Sequence, residues 1–323
     1  MKKIIALILT ILLITASLLT FVSCGKKTND EIKVTSLNGT TGFGMAPLMK
    51  ESSLGNTSSK YKFDVQTDPV MVTAGLINGT IDIAALPTNA AANVYNKTNG
   101  GVKIIAINTL GVLYLLTNNV SINSISDLNG KTIYCPSQNP MFITKYIIEK
   151  NNMSDKVTID STTYATADAL RAAVIAGTVE IAVLPEPMVT IVTNSNQNVK
   201  VALDLTEEWD KVSNGKKLVQ GCVVVRTEFA EKYPGSVDEF LKDYKSSIES
   251  LNSDPTSGAS FIKEFGIFAN DKVAAKAIPN CNIKYLDGKE MKESMKNFLD
   301  AMYSIAPASI GSAIPNDDFY YGA

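Results

Sequence analysis

From Gly79 to Ala91 the chain reads GTIDIAALPTNAA, and from Gly177 to Val189 it reads GTVEIAVLPEPMV. Pro87 and Pro185 stand 98 positions apart, with Gly, Thr, Ile, Ala, Leu and Pro repeated in step. This repeat constrains the fold more than composition does, because each copy must form the same strand and turn in like surroundings. The match continues on both sides. Upstream, YKFDVQTDPVMVTAGLINGT and KVTIDSTTYATADALRAAVIAGT each read as a strand, a turn and an apolar helix closed by glycine, at Gly79 and Gly177. Downstream, VKIIAIN at 102–108 and VKVALDL at 199–205 read as buried strands. Lys33 and Lys131, again 98 apart, each open an apolar strand, a polar loop and an amphipathic helix. Each half is therefore strand–helix–strand–helix–strand, which predicts a mainly parallel sheet with helices on both faces, and two halves predict two lobes.

NTLGVLYLLTNN after the first half and LVQGCVVVRTE after the second read as extended crossings between the lobes, aligning Gly111 with Gly221 and Thr117 with Thr227. Ser236 and Glu239 read as a capping box opening the next helix. That helix and KEMKESMKNFLDAMYSI are expected to pack back on the first lobe.

Ligands of open α/β sheets bind outside the carboxyl ends of the strands, so two facing lobes would share a cleft there. Its loops are LNGTTGFG, LPTNAA, CPSQNP and LPEPM. Divergence after the repeated proline then has a reason, since the segment before it builds the sheet and the segment after it meets the ligand. Gly42 and its glycine neighbours let backbone approach a ligand closely. Thr40, Thr41, Thr88, Asn89, Ser137, Gln138 and Asn139 offer neutral donors and acceptors at helix starts, where free N–H groups favour an anionic group. Phe43, Phe142 and Tyr164 are candidates to cover an apolar body, and Gly111 and Gly221 mark the crossings. Glu186 is the one obvious charge and suits a ligand amine or ring N–H. The same side chains also fit structural roles: N-caps for the hydroxyls and amides, core for Phe142, a brace for Glu186.

Composition removes several function classes. The 323 residues carry a net charge of −2, which gives no electrostatic case for nucleic acid. Histidine is absent, and the only arginines are Arg171 and Arg226, so the commonest general base is missing and a guanidinium clamp on an anion is disfavoured. The N-terminus has Lys2 and Lys3, an apolar run from Ile4 to Val22, then Ser23 and Cys24. This reads as an export signal over 1–23 ending in a lipobox, with lipid on Cys24 and a tether over 24–30; an uncleaved membrane helix is the alternative. Phe21 departs from the usual lipobox leucine. Cys135, Cys222 and Cys281 are then an odd set at unrelated spacings, neither a disulfide framework nor a metal site, and are expected to be buried thiols.

SISDLNGKTIYCPSQNP, AAVIAGTVEIAVLPEP and IPNDDFYY together resemble the NitT/TauT-type solute-binding proteins of ABC importers, over essentially the whole chain from about Glu31. The resemblance implies a type II periplasmic-binding fold: an α/β architecture of two lobes, joined by two crossover strands and closing on one small molecule. Lobe 1 is expected at 31–117, with 223–323 packed back on it, and lobe 2 at 118–222. It also implies ligand contacts at Thr40, Thr41, Thr88, Ser137, Gln138 and Glu186. The expected protein is a monomeric, non-enzymatic, lipid-anchored lipoprotein on the outer face of the cell membrane. It would need no cofactor or metal and would deliver its solute to an ABC permease with its ATPase. A ligand-sensing lipoprotein and a biosynthetic enzyme on the same fold are the alternatives. The ligand stays open among a sulfonate, a nitrate-like anion and a thiamine-type heteroaromatic.

Overall fold

The computed structural model describes residues 26–323, so the export signal and Cys24 lie outside the described residues. Two mixed sheets carry the two halves. The first runs β2 (Tyr61–Gln66), β1 (Ile32–Leu37), β3 (Ile83–Pro87), β10 (Val219–Arg226), β4 (Val102–Leu110) and β11 (Ile283–Leu286). The second runs β7 (Thr158–Asp160), β6 (Thr132–Tyr134), β8 (Ile181–Pro185), β5 (Leu113–Asn118) and β9 (Val199–Asp204). The repeat is thus a repeat of topology, and β3 and β8 even share one burial pattern, four buried residues and a half-buried proline.

Local signals build the helices where the repeat places them. In the first half these are α1 (Thr40–Phe43), α2 (Ala46–Ser53), α3 (Pro69–Asn78) and α4 (Thr88–Lys97). In the second they are α5 (Asn139–Lys150), α6 (Ala167–Ile175) and α7 (Met188–Ser195), followed by α8 (Leu205–Ser213). The Asp68 carboxylate accepts from the Val70 N–H at 2.8 Å to start α3, and Pro69 presets the first turn. Gly79 and Gly177, both at φ 77°, close the matching helices in the left-handed region.

The sheets are mixed rather than purely parallel, because each takes an antiparallel strand from a crossing. β5 enters the second sheet between β8 and β9, and β10 enters the first between β3 and β4. Membership changes near 111–112 and again between 214 and 218, so β5 and the first residues of β10 lie in the lobe opposite to the one expected from cuts at 117/118 and 222/223. The crossings also align differently from the sequence expectation. Gly221 faces Pro87, whereas Leu113 faces Pro185, a slip of two residues that keeps every side chain on its expected face.

The remaining helices divide their packing. Helices α9 (Thr227–Lys232), α10 (Pro234–Ser253), α11 (Pro255–Glu264) and α12 (Asp271–Ala277) cover one face of the first sheet, with Phe240, Tyr244 and Ile248 in its core. Helix α13 (Gly288–Ile305) bridges the lobes instead, since Phe298 packs on Trp209, which lies against Tyr146 of α5. The expected capping box does not form. Helix α10 starts at Pro234, and the buried Ser236 hydroxyl accepts from the Asn29 N–H at 2.7 Å while Glu239 takes the Ser59 hydroxyl.

Candidate functional site

The carboxyl ends of β2, β3 and β6 converge on a cavity of about 610 Å³ between the lobes, a size suited to one small organic molecule. Its first-lobe wall is Pro69, Val70 and Thr73 of α3 with Asn89, Asn93 and Lys97 of α4. Gln138, Asn139 and Pro140 at the start of α5 form the second-lobe wall, and Ser309 of the C-terminal tail closes one side. Of the residues singled out in the sequence, Asn89, Gln138 and Asn139 come together here.

Asn89 and Asn139 face each other across the cavity, and Asn139 is the more telling. Asn89 is 7% exposed and lines the cavity, and its amide atoms are not among the sealed-off polar groups that lack a partner among the described residues. A buried polar group left unpaired costs free energy, so such a group is uncommon unless something else satisfies it. Across the cavity, Asn139 is 9% exposed and its Oδ1 is buried without a partner. Gln138 holds φ 68°, a left-handed conformation that sends the chain sharply into α5, and no side chain caps that helix.

Other candidates serve the protein itself. Phe43 is wholly buried in the first-lobe core, edge-on to Phe268 at 6.1 Å, so it covers no ligand. Gly42 is required by the protein's own backbone, because a Cβ there would lie 1.8 Å from the Leu37 carbonyl oxygen. Thr40 is buried, and the half-buried Thr41 gives its carbonyl to the Asn108 amide at 2.9 Å. The Thr88 hydroxyl donates to the Val219 carbonyl at 2.9 Å, tying the start of α4 to the returning strand. Ser137 bonds the Ala165 carbonyl through both its N–H and its hydroxyl. Tyr164 packs edge-on against Tyr134 at 5.7 Å. A Cβ on Gly111 would meet Thr206, and one on Gly221 would meet Asn108 and Thr109.

Glu186 is 3% exposed. Its carboxylate accepts from the Thr190 N–H and the Thr190 hydroxyl, each at 3.0 Å, and so caps α7. Burial raises its pKa, against the lowering effect of the Thr190 bonds, the Asn280 side chain and Lys276. Asn280 belongs to the first-lobe side, and its carbonyl takes the Tyr114 hydroxyl at 2.9 Å. Glu186 thus sits at a seam where the lobes already touch. Cys135, Cys222 and Cys281 are buried free thiols, and burial pushes Cys135 up to about 12. Among the described residues no carboxylate or thiol cluster suits a metal ion, and no helix is long and apolar enough to cross a membrane.

Pro69, Val70, Thr73, Asn93 and Lys97 are not among the residues expected from the sequence. The first three carry a signal, since the Asp68–Pro69 helix start follows a strand at the same sheet edge as the LNGTTGFG and LPTNAA loops. Ser309 carries none, because only tertiary packing brings the tail there.

A family model described as menaquinone biosynthesis matches residues 47–304. This overturns the expectation of a non-enzymatic protein, since that family is one of biosynthetic enzymes. The missing histidine removes one kind of acid–base group and leaves carboxylates, phenols and amides, so it never excluded catalysis. No curated protein matches the chain. Among solved structures, an ABC transporter protein from Parabacteroides distasonis is 25% identical with TM-score 0.76, covering 90% of this chain and 99% of that one. The periplasmic aliphatic sulphonate binding protein SsuA from Escherichia coli is 13% identical with TM-score 0.71, covering 90% and 93%. The periplasmic nitrate-binding protein NrtA from Synechocystis PCC 6803 is 11% identical with TM-score 0.61, covering 91% and 85%. The resemblance read from the sequence holds at the level of fold.

Proposed function

The chain belongs to the menaquinone biosynthesis family, and on that premise we propose that its two lobes close on one small molecule held in the interlobe cavity. The observation that carries this reading is Asn139, whose buried Oδ1 has no partner among the described residues, at a cavity walled by both lobes. Transport is the reading favoured by the solved relatives, whose printed names describe ABC transporter, sulphonate-binding and nitrate-binding proteins. In that reading the mature chain is a lipoprotein tethered through Cys24 outside the cell membrane, and it passes its solute to an ABC permease.

A second reading is favoured by the family description: chemistry on the bound molecule before its release. One experiment tests both. Protein purified from cells is denatured, and the released small molecule is identified by mass spectrometry. The same compound is then incubated with fresh protein. Recovery unchanged supports carriage, and recovery as a different compound supports catalysis. Failure to retain or be stabilised by any small molecule would sink the binding reading itself, since a ligand specific to the folded state must raise its stability.

A further inference from the structure

We propose that the cavity selects an uncharged molecule with an apolar body and a mixed donor–acceptor edge, such as a lactam or carboxamide, rather than a sulfonate or nitrate. This rests on the reading that the cavity is a binding site and names the class of ligand it takes.

Four carboxamides line the cavity, Asn89 and Asn93 in the first lobe and Gln138 and Asn139 in the second, beside the hydroxyls of Thr73 and Ser309. A carboxamide presents two donors and an acceptor side by side, so it matches an edge of the same kind. Asn89 and Asn139 are both more than nine-tenths buried, and the Asn139 Oδ1 is a sealed-off acceptor without a donor. A bare oxyanion offers acceptors only. It would leave the Asn139 acceptor as orphaned as it is now.

The charges agree. The chain's two arginines are engaged elsewhere, Arg171 with Asp168 and Arg226 with Asp82 and Glu228. At the cavity the charged residues are Asp68 and Lys97, of opposite sign and both exposed. An anion would therefore meet no guanidinium and no buried cation, only the partial charge of helix starts. Pro69, Val70, Pro87, Ala90 and Pro140 supply apolar walls for the body of the molecule.

The test is calorimetric titration of the full chain in mild detergent with nitrate, methanesulfonate, uracil and benzamide, each at millimolar concentration. Binding is expected from at least one neutral probe and from neither anion. Asn89→Leu should weaken that neutral probe about fivefold or more, since a net hydrogen bond is lost. It should leave the melting temperature of the ligand-free protein essentially unchanged, because Asn89 lines the cavity; a merely structural role would move it. Either anion binding more tightly than both neutral probes, or an Asn89→Leu affinity equal to the parent's, overturns the proposal. An anion that binds and draws the lobes together removes only the neutral class and leaves the binding reading standing. No binding and no compaction with any probe removes both.

Discussion

Thr88 and Glu186 hold the same place in the two halves, one residue past the repeated proline, and each has turned to a different structural bond. Thr88 ties α4 to the Val219 carbonyl at 2.9 Å, and Glu186 accepts from the Thr190 N–H at 3.0 Å. The divergence after the proline therefore serves a crossing strand in one half and a helix cap in the other as much as the cleft.

Glu186→Gln can keep both bonds to Thr190, accepting from its N–H and donating to its hydroxyl. Burial holds the carboxyl pKa above its ordinary value near 4.5, so the protonated form stabilises the fold. That contribution is complete below the ordinary value and is lost as pH rises through the raised one. The variant should match the parent at pH 4 and melt at a higher temperature at pH 8. Thermal melts across this range check it; a variant less stable at pH 8 would show that the ionised carboxylate is the favoured form.

Phe43→Ala should destabilise the protein by about 3–5 kcal/mol, because it empties a buried site in a packed core. Urea unfolding with the slope held equal measures this directly. A loss under about 1 kcal/mol would mean that the side chain lies in the cleft after all.

Cys135, Cys222 and Cys281 should stay unreacted with a thiol reagent at pH 8 in the native protein and react together on unfolding. All three are buried, and burial raises each thiol. Rapid labelling of Cys135 in the folded state would argue that its strand end opens to the cleft.

How much of this was legible in the sequence follows from what kind of information each feature needs. The strand and helix pattern of both halves could be read, because glycine caps at Gly79 and Gly177 and short continuous apolar runs are local signals. The antiparallel insertion of β5 and β10 could not, since hydrophobic runs do not say which strands flank them. The two-residue slip between Gly111 and the true counterpart of Gly221 was invisible for a related reason: matching Gly111 with Gly221 and Thr117 with Thr227 says nothing of which residues pair across the sheet. At the site, Asn89, Gln138 and Asn139 were legible as polar helix starts. Phe43 was not distinguishable from a ligand cover, because only the seating of α10–α12 decides what its ring touches.

The central claim is that the lobes close around a molecule held between Asn89 and Asn139. X-ray scattering of the purified protein, with and without the molecule recovered from it, tests this most directly. A smaller radius of gyration is expected when the molecule is added, with a smaller change for Asn89→Leu at a concentration that half-saturates the parent. Superimposable curves for a parent protein that calorimetry shows to be saturated would contradict it.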